Sequence, residues 1–247
     1  MDCENVKISP MKSDFQFRSV RFGSERMAYN KEMPRHRHMQ AYATLVLAGE
    51  FEQFSYAGRL QLQAGDVLIN PTLDYHSNRM RSRGGVTLVR LPWRHEDTFG
   101  GVYRNLSTDT IERVASRDSA QATGLLAEQL GGKVHNSTPL RDLTDKLAID
   151  LGANPRLRIA QWAANHSVTR EYAWRSFYRT FGVSPVQFRL EVNTRAALMS
   201  IVRSNEPLSK VAADCGFSDQ SHMTRAIKAF IGISPALCRS SHLFKTN

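Results

Sequence analysis

The C-terminal part of the chain carries the same pattern of apolar and polar positions twice. In each copy a short amphipathic segment leads through a turn into a longer one, where apolar residues recur at steps of three and four. In the second copy this apolar face holds Met223, Ile227 and Phe230. Both copies end on matching letters, FGVSP at 181–185 and IGISP at 231–235, which are 50 residues apart. One copy alone would equally suit an ordinary helical hairpin, but the repeat predicts a duplicated helix-turn-helix.

The segment between the copies predicts a connecting helix. Apolar residues recur at helical steps across 186–204. The length of this helix would set the distance between the two longer helices. If both face one way, they would enter successive major grooves, about 34 Å apart.

Polar side chains on the longer helices are the candidates for contact with DNA. A helix that is apolar on one face and carries Arg, Gln and Thr on the other suits the major groove. The predicted base-reading residues are Arg170, Glu171, Trp174 and Arg175 in the first copy, and Gln220, Ser221, His222, Thr224 and Arg225 in the second. The predicted phosphate contacts are Arg179, Lys210 and Lys228.

The charge distribution supports a nucleic-acid partner. Residues 151–247 have a net charge of +8, whereas residues 1–150 have +2, out of +10 for the 247-residue chain. A basic excess that lies almost entirely on the part with the helical repeat is the electrostatic footprint of a protein that neutralises phosphates. The three cysteines match no disulfide or zinc spacing, and the first residues include no apolar run typical of a signal peptide or a membrane span. These features predict a cytoplasmic protein without a membrane partner.

The N-terminal half has the alternating apolar and polar pattern that is typical of short strands. After a polar, patternless start, alternation begins near residue 15 and continues to residue 91, with turns at Gly49, Gly58 and Gly65. Ala41 to Leu47 is an apolar run suited to a buried strand. Strands of this length and spacing predict a small antiparallel barrel or sandwich. From residue 96 to 152 the pattern becomes helical.

The C-terminal repeat resembles the DNA-binding domain of AraC/XylS-type transcription regulators. The second copy carries that family's pattern, which comprises Ala212, Gly216-Phe217, Ser221-His222, Arg225, Lys228, Gly232, Ser234 and Pro235. The first copy departs from it, with Ser167 where glycine is usual, Ala173 where leucine usually packs, and Trp174 where a small polar residue is common. The first recognition helix is therefore expected to pack less well or to read DNA differently. The resemblance implies double-stranded DNA and RNA polymerase as partners, and it is compatible with a role as an activator or as a repressor.

The N-terminal half resembles a cupin, the sensor domain of many such regulators. His36 and His38 match the first half of the cupin pattern, and His76 matches the second half. Tyr42 stands where the pattern has a glutamate, and Leu73 where it has a glycine. Two interpretations fit. In one, the histidines hold a Zn²⁺ or Fe²⁺ ion. In the other, they line the barrel and hydrogen-bond one another, or line a metal-free effector pocket with Tyr42. The other candidates, His95, His135, His166 and His242, have no partner at a meaningful spacing.

Together these features predict an α+β protein, with an N-terminal antiparallel cupin-like β-barrel followed by an all-α domain that carries two helix-turn-helix units. We expect the sensor over 1–95, a helical linker over 96–152 and the DNA-binding domain over 153–247. By resemblance the linker helices would join two copies of the chain into a homodimer; the alternative is that their apolar faces pack on the barrel. The predicted function is a sequence-specific transcription regulator, not an enzyme, controlled by a small molecule in the barrel. The alternative is a metal-dependent cupin enzyme with an accessory DNA-binding domain.

Overall fold

The computed structural model describes residues 17–94, 100–131 and 142–240. Predictions for the N-terminal segment before residue 17 and for Cys3, His95, His135 and His242 lie outside the described residues. Along the described part, nine strands are followed by nine helices. The strands are β1 (Gly23–Met27), β2 (Glu32–His36), β3 (Tyr42–Ala48), β4 (Glu50–Ser55), β5 (Gly58–Gln63), β6 (Val67–Asn70), β7 (His76–Met80), β8 (Val86–Pro92) and β9 (Gly101–Tyr103). The helices are α1 (Thr108–Ala115), α2 (Ser119–Leu130), α3 (Leu143–Ala153), α4 (Ile159–Asn165), α5 (Arg170–Phe181), α6 (Pro185–Arg203), α7 (Leu208–Asp214), α8 (Gln220–Ile231) and α9 (Pro235–Ser240).

The strands form two separate antiparallel sheets, in the orders β1-β8-β3-β6-β9 and β2-β7-β4-β5. The predicted antiparallel domain ahead of a helical domain is confirmed, but among the described strands neither sheet closes into the expected barrel. Most successive strands switch from one sheet to the other, for example between β3 and β4 at Gly49, which has φ +81°. A Cβ there would lie 2.3 Å from the carbonyl oxygen of Gly85, so this tight crossing needs glycine. The strand expected from residue 15 is wrong within its described part, because Phe17 makes only an isolated bridge with Arg37.

The five-stranded sheet is covered on both faces, which explains why β3 is an apolar run rather than an alternating one. Val46, on β3, packs in the core that both sheets share, with Phe51 of β4. Its neighbour Leu45 faces the other way and packs with Ile111 of α1 and Leu126 of α2. The apolar faces of α1 and α2 are therefore buried on the sheet, as the second interpretation of these helices expected.

The described chain divides into two compact units, Phe17–Val192 and 193–240, with the division inside α6. The first unit contains both sheets and also the first helix-turn-helix. Phe54 of β4 shares a core with Phe177 and Phe181 of α5, and the Phe54 and Phe181 ring centroids lie 6.0 Å apart. No helix in the described part of the chain combines the length and the apolar character needed to cross a membrane.

Candidate nucleic-acid interface and sensor pocket

The second helix-turn-helix is built from α7, a tight turn and α8. The turn passes through Gly216 at φ +78°, and the amide of Phe217 donates to the carbonyl of Ala212 at 2.9 Å. The carboxylate of Asp219 caps α8 by accepting from the amide of His222 at 2.7 Å. A left-handed glycine and an Asp cap stop one helix and start the next within a few residues.

The predicted base-reading residues of α8 lie on the face opposite its core. Met223, Ala226, Ile227 and Phe230 are buried. Gln220, Ser221, Arg225 and Lys228 are exposed, while His222 and Thr224 are half-buried. The Nδ1 atom of His222 lies 3.1 Å from the hydroxyl of Ser218, which also donates to Asp219, so this side chain is held in place before any partner arrives.

The first helix-turn-helix has the same local design from different residues. Ser167 occupies the left-handed position of the turn at φ +55°, where the second copy has Gly216. The amide of Val168 donates to the carbonyl of Ala163 at 3.1 Å, which matches the bond between Phe217 and Ala212. Thr169 caps α5 by accepting from the amide of Tyr172 at 3.1 Å.

The exposed face of α5 is aromatic as well as basic. All four predicted base-reading residues of this helix, Arg170, Glu171, Trp174 and Arg175, are exposed. The rings of Trp174 and Tyr178 stack in parallel, with centroids 5.3 Å apart. We call this stacked pair the aromatic platform. Tyr178 was missed from the sequence, although the 50-residue offset aligns it with Lys228 and could have identified it.

The three predicted phosphate contacts differ in their surroundings. Arg179 and Lys228 are exposed near the C-terminal ends of their helices. Lys210 lies between two carboxylates, 3.3 Å from Glu206 and 3.2 Å from Asp214, and these hydrogen bonds raise its pKa. A phosphate would have to compete with two acids for Lys210, which makes it the weakest of the three candidates.

In the first unit, the structure brings His36, His38 and His76 together as predicted. One ring nitrogen from each lies within 4.8 Å of the others, and all three residues are buried. The Nδ1 atoms bond to the carbonyls of Pro34, Arg18 and Asp74, at 2.8, 2.5 and 3.1 Å. A carbonyl can only accept, so each Nδ1 carries the hydrogen and each Nε2 presents a lone pair.

The electrostatics of this cluster favour neutral rings. Burial lowers the pKa of His36 to about 4, and it lowers the pKa values of His38 and His76 as well. Burial raises the pKa of Tyr42, so its phenol stays protonated and donates to Nε2 of His76 at 3.1 Å. Three neutral imidazoles suit a divalent metal, but His76 Nε2 would have to give up its bond with Tyr42 to bind one.

A cavity of about 400 Å³, which we call the sensor pocket, opens beside this cluster. His36, His38 and Tyr42 lie in its wall, together with residues that the sequence had not marked: Arg18, Arg21, Lys31, Asn78 and Arg90. Leu73, where the cupin pattern has glycine, adopts the left-handed conformation at φ +60°, and its amide donates to the carbonyl of His38 at 2.9 Å. Leu73 thus adopts the left-handed backbone conformation that a glycine would favour.

Comparisons with known proteins agree on the C-terminal part. A family model described as a helix-turn-helix domain matches residues 162–241. The probable transcriptional regulator LumQ of Photobacterium leiognathi is 23% identical over 235 residues, which cover 83% of this chain and 92% of LumQ.

Among solved structures, ToxT of Vibrio cholerae is 10% identical over 92% of this chain and 98% of ToxT, with a TM-score of 0.41. An AraC-type DNA-binding regulator of Chromobacterium violaceum is 20% identical over 41% of this chain and 91% of its own, with a TM-score of 0.37. The family match coincides with the duplicated motif and with the basic end of the chain. The chain is therefore a DNA-binding transcription regulator that carries a helix-turn-helix domain over residues 162–241.

Proposed function

We propose that the regulator recognises a specific operator with two base-reading helices of different chemistry. The observation that carries this proposal is the duplicated helix-turn-helix, with each longer helix buried on one face and free on the other. On α8, Arg225 would contact guanine through two hydrogen bonds and Gln220 would pair with adenine. Ser221, His222 and Thr224 would complete this readout, and Lys228 would contact a phosphate.

On α5, the aromatic platform would make apolar contacts with thymine methyl groups, which line the major groove. Arg170 and Arg175 would contact guanine or phosphate, Glu171 would accept from cytosine, and Arg179 would contact a phosphate. The first half of the operator would therefore be richer in A·T pairs than the second.

The test is selection of the purified chain on a random duplex library over several rounds at physiological salt. We expect enrichment of a site with two distinct half-elements. A library that stays random, with binding that weakens steeply as salt rises, would show phosphate attraction alone and would contradict specific readout.

We propose further that a small molecule in the sensor pocket controls DNA binding. Strand β2 supplies a route for this control, because His36 faces the pocket while its neighbour Arg35 bonds to Glu191 of α6 at 2.7 and 3.0 Å. Helix α6 directly follows the first recognition helix. A ligand acts only if it binds one arrangement of these elements better than the other. Control therefore predicts that the double variant Arg35→Met, Glu191→Leu, which leaves no buried charge unpaired, weakens the effect of ligand on DNA affinity.

A metal-controlled regulator, or a metal-dependent enzyme, is the second candidate. It is supported by the three histidines, each of which has one ring nitrogen within 4.8 Å of the others. When bound, a Zn²⁺ or Fe²⁺ ion would supply an electrophile with an open position. Elemental analysis of the purified chain tests this candidate. One equivalent of metal that His36→Gln removes would support it, and metal-free protein whose stability a chelator leaves unchanged would contradict it.

By resemblance we also propose action in the cytoplasm, contact with RNA polymerase and a homodimer. Because α1 and α2 bury their apolar faces on the sheet, a dimer would use polar surfaces or other elements. Light scattering of the purified chain measures this directly, and a monomer at micromolar concentration would contradict the dimer.

A further inference from the structure

The sensor pocket contains two buried polar atoms with no hydrogen-bond partner. They are Nε2 of His36 and Oδ1 of Asn78, and both residues line the cavity. His36 is 1% exposed and Asn78 is 8% exposed. A buried polar atom without a partner is unfavourable, so a ligand that hydrogen-bonds to both atoms gains binding free energy.

The backbone explains why both atoms reach the same cavity. Met33 pairs with Asn78, and His36 pairs with His76, but the register of β2 against β7 shifts between these two pairs. Residues 33 and 36 would otherwise face opposite sides of a regular strand. The shift falls between Met33 and His36. Pro34 in this stretch has no amide hydrogen to donate, and β2 is an edge strand where proline is tolerated.

Both atoms are acceptors. His36 donates from Nδ1 to the carbonyl of Pro34, which leaves a lone pair on Nε2. The amide nitrogen of Asn78 lies 3.9 Å from the sulfur of Met33, and since a thioether can only accept, the amide oxygen must be the unpartnered atom. The inner wall of the pocket therefore requires a ligand that donates hydrogen bonds.

The mouth of the pocket is positively charged. Arg18, Arg21 and Lys31 are exposed and line the cavity. Of the two carboxylates in the lining, Glu25 is paired with Arg90, and Glu32 lies 2.8 Å from Arg79. Three basic side chains thus remain to face a ligand at the mouth.

We propose that this pocket binds a small hydroxylated organic anion of the sugar-acid class. A hydroxyl of the ligand donates to His36 Nε2 and another to Asn78 Oδ1, while its carboxylate lies near Arg18, Arg21 and Lys31. A volume of about 400 Å³ suits a ligand of this size. The inference rests on the proposed effector control and specifies the chemistry of the effector.

Two other ligand classes match this pocket less well. An amine would also donate hydrogen bonds, but both carboxylates of the lining already have arginine partners, so its charge would be buried without compensation. A metal ion would meet His76 Nε2 already bonded to Tyr42 and three basic residues at the entrance. A hydroxyl needs no counter-charge and gains from the basic mouth.

The experiment compares three probes by calorimetry on the full chain after chelator treatment, without DNA. Gluconate carries both hydroxyls and a carboxylate, hexanoate carries only the carboxylate, and sorbitol carries only hydroxyls. We expect gluconate to bind at millimolar concentration or tighter, and each single-feature probe to bind at least about tenfold more weakly. His36→Leu should weaken gluconate about tenfold, and His36→Gln, which keeps an acceptor oxygen, should restore part of the loss.

Two arginine variants, one at the mouth of the pocket and one outside it, provide the matched control. Arg21→Ala should weaken gluconate about threefold, as expected for one exposed ion pair. Arg26→Ala removes a neighbouring arginine that binds the carbonyl of Gly84 instead of lining the pocket, and it should leave gluconate binding unchanged. Equal binding of all three probes, or no binding of gluconate, overturns the proposal.

Tight binding of Zn²⁺ alone that His36→Gln abolishes, with no response to gluconate, also overturns it in favour of the metal. Because the calorimetry contains no DNA, the pocket proposal can fail while operator selection succeeds. The reverse result would contradict the proposed regulator and leave the ligand class supported.

Discussion

The two helix-turn-helix copies reach the same local backbone through different chemistry. The second copy turns at Gly216 and presents polar Gln220, Thr224 and Arg225 on α8. The first turns at Ser167 and presents the aromatic platform of Trp174 and Tyr178 on α5. The repeat therefore specifies a scaffold, and the residues on its exposed faces specify what each copy contacts.

The copies also differ in what supports their cores. The first copy shares a core with Phe54 of β4 and belongs to the compact unit Phe17–Val192. Its core includes the aromatic rings of Phe177, Phe181 and Phe188 together with the small Ala173. The second copy fills the equivalent position with Met223, which is fully buried. The first copy is thus structurally part of the unit that contains both sheets.

The largest expected effect is the loss of stability when a core residue of one copy is truncated, and it should affect each copy separately. Phe177→Ala should lower the free energy of unfolding by about 3–5 kcal/mol and destabilise the sheets with the first copy, whereas Met223→Ala should cost about 2–5 kcal/mol in the second copy. All three tryptophans, Trp93, Trp162 and Trp174, lie in the first unit. The urea concentration at the midpoint of the tryptophan fluorescence transition should therefore decrease in Phe177→Ala and stay unchanged in Met223→Ala.

The control is a background of Trp162→Phe and Trp174→Phe, in which Trp93 alone reports on the sheet. An unchanged Trp93 transition in Phe177→Ala would show that the first copy is independent of the sensor.

A second prediction concerns the ion pair between β2 and the helix after the first copy. Arg35 and Glu191 have side chains only 10% and 7% exposed. Glu191→Ala should cost about 3–5 kcal/mol because it leaves a buried guanidinium unpaired. The double variant Arg35→Met, Glu191→Leu should recover most of that loss, as urea unfolding would show. A loss in the double variant as large as in the single one would mean that the pair itself stabilises the unit.

The third prediction concerns readout by the second copy. Arg225→Ala should cost about 1–3 kcal/mol of binding free energy on the selected operator and relax specificity at one position. Fluorescence anisotropy with labelled duplexes measures both quantities, and Lys228→Ala is the comparison because it should weaken all sequences alike. An equal loss for Arg225→Ala on the operator and on random DNA would make Arg225 a phosphate contact.

Substitutions in the two turns should change the stability less, and in opposite directions. Gly216→Ser should destabilise the second copy by about 1–2 kcal/mol, because a side chain in the left-handed conformation is strained. Ser167→Gly should remove that strain from the first copy and stabilise it by up to about 1 kcal/mol. Circular dichroism melts of both variants measure this. A destabilised Ser167→Gly would show that the Ser167 side chain makes a compensating contact.

The smallest effect tests the aromatic platform. Replacing thymine by uracil in the half-element read by α5 removes one methyl group per base and should cost roughly 0.8 kcal/mol for each contacted methyl. The same replacement should leave the DNA affinity of the Trp174→Ala variant unchanged. Equal losses in both proteins would mean that the platform does not contact thymine.

Much of the helical domain could be predicted from the sequence because its signals are local. The caps Thr169 and Asp219 and the repeated Gly-x-Ser-Pro ending fixed the limits of α5 and α8 within a residue or two. The caps and the repeated ending depend on short spacings that a single sequence shows. The histidine cluster was predicted from the resemblance to the cupin pattern, and in the structure β2 pairs with β7 at His36 and His76.

Other features depend on contacts that no local pattern contains. Arg35 and Glu191 are 156 positions apart, and the charges of neither segment indicate that they meet. The two open sheets result from strands that alternate between layers, which apolar periodicity alone does not distinguish from a barrel. The register shift between Met33 and His36, which turns both residues to one face, is likewise a property of the pairing with β7.

The most direct test of the central claim is the ratio of two dissociation constants of the full chain at physiological salt. One is measured for the selected operator, and the other for the same duplex with both half-elements scrambled. Specific readout by two recognition helices predicts a ratio of at least about 10³. A ratio near one, with both affinities falling equally as salt rises, would show that the basic helices only neutralise phosphates and would contradict a sequence-specific regulator.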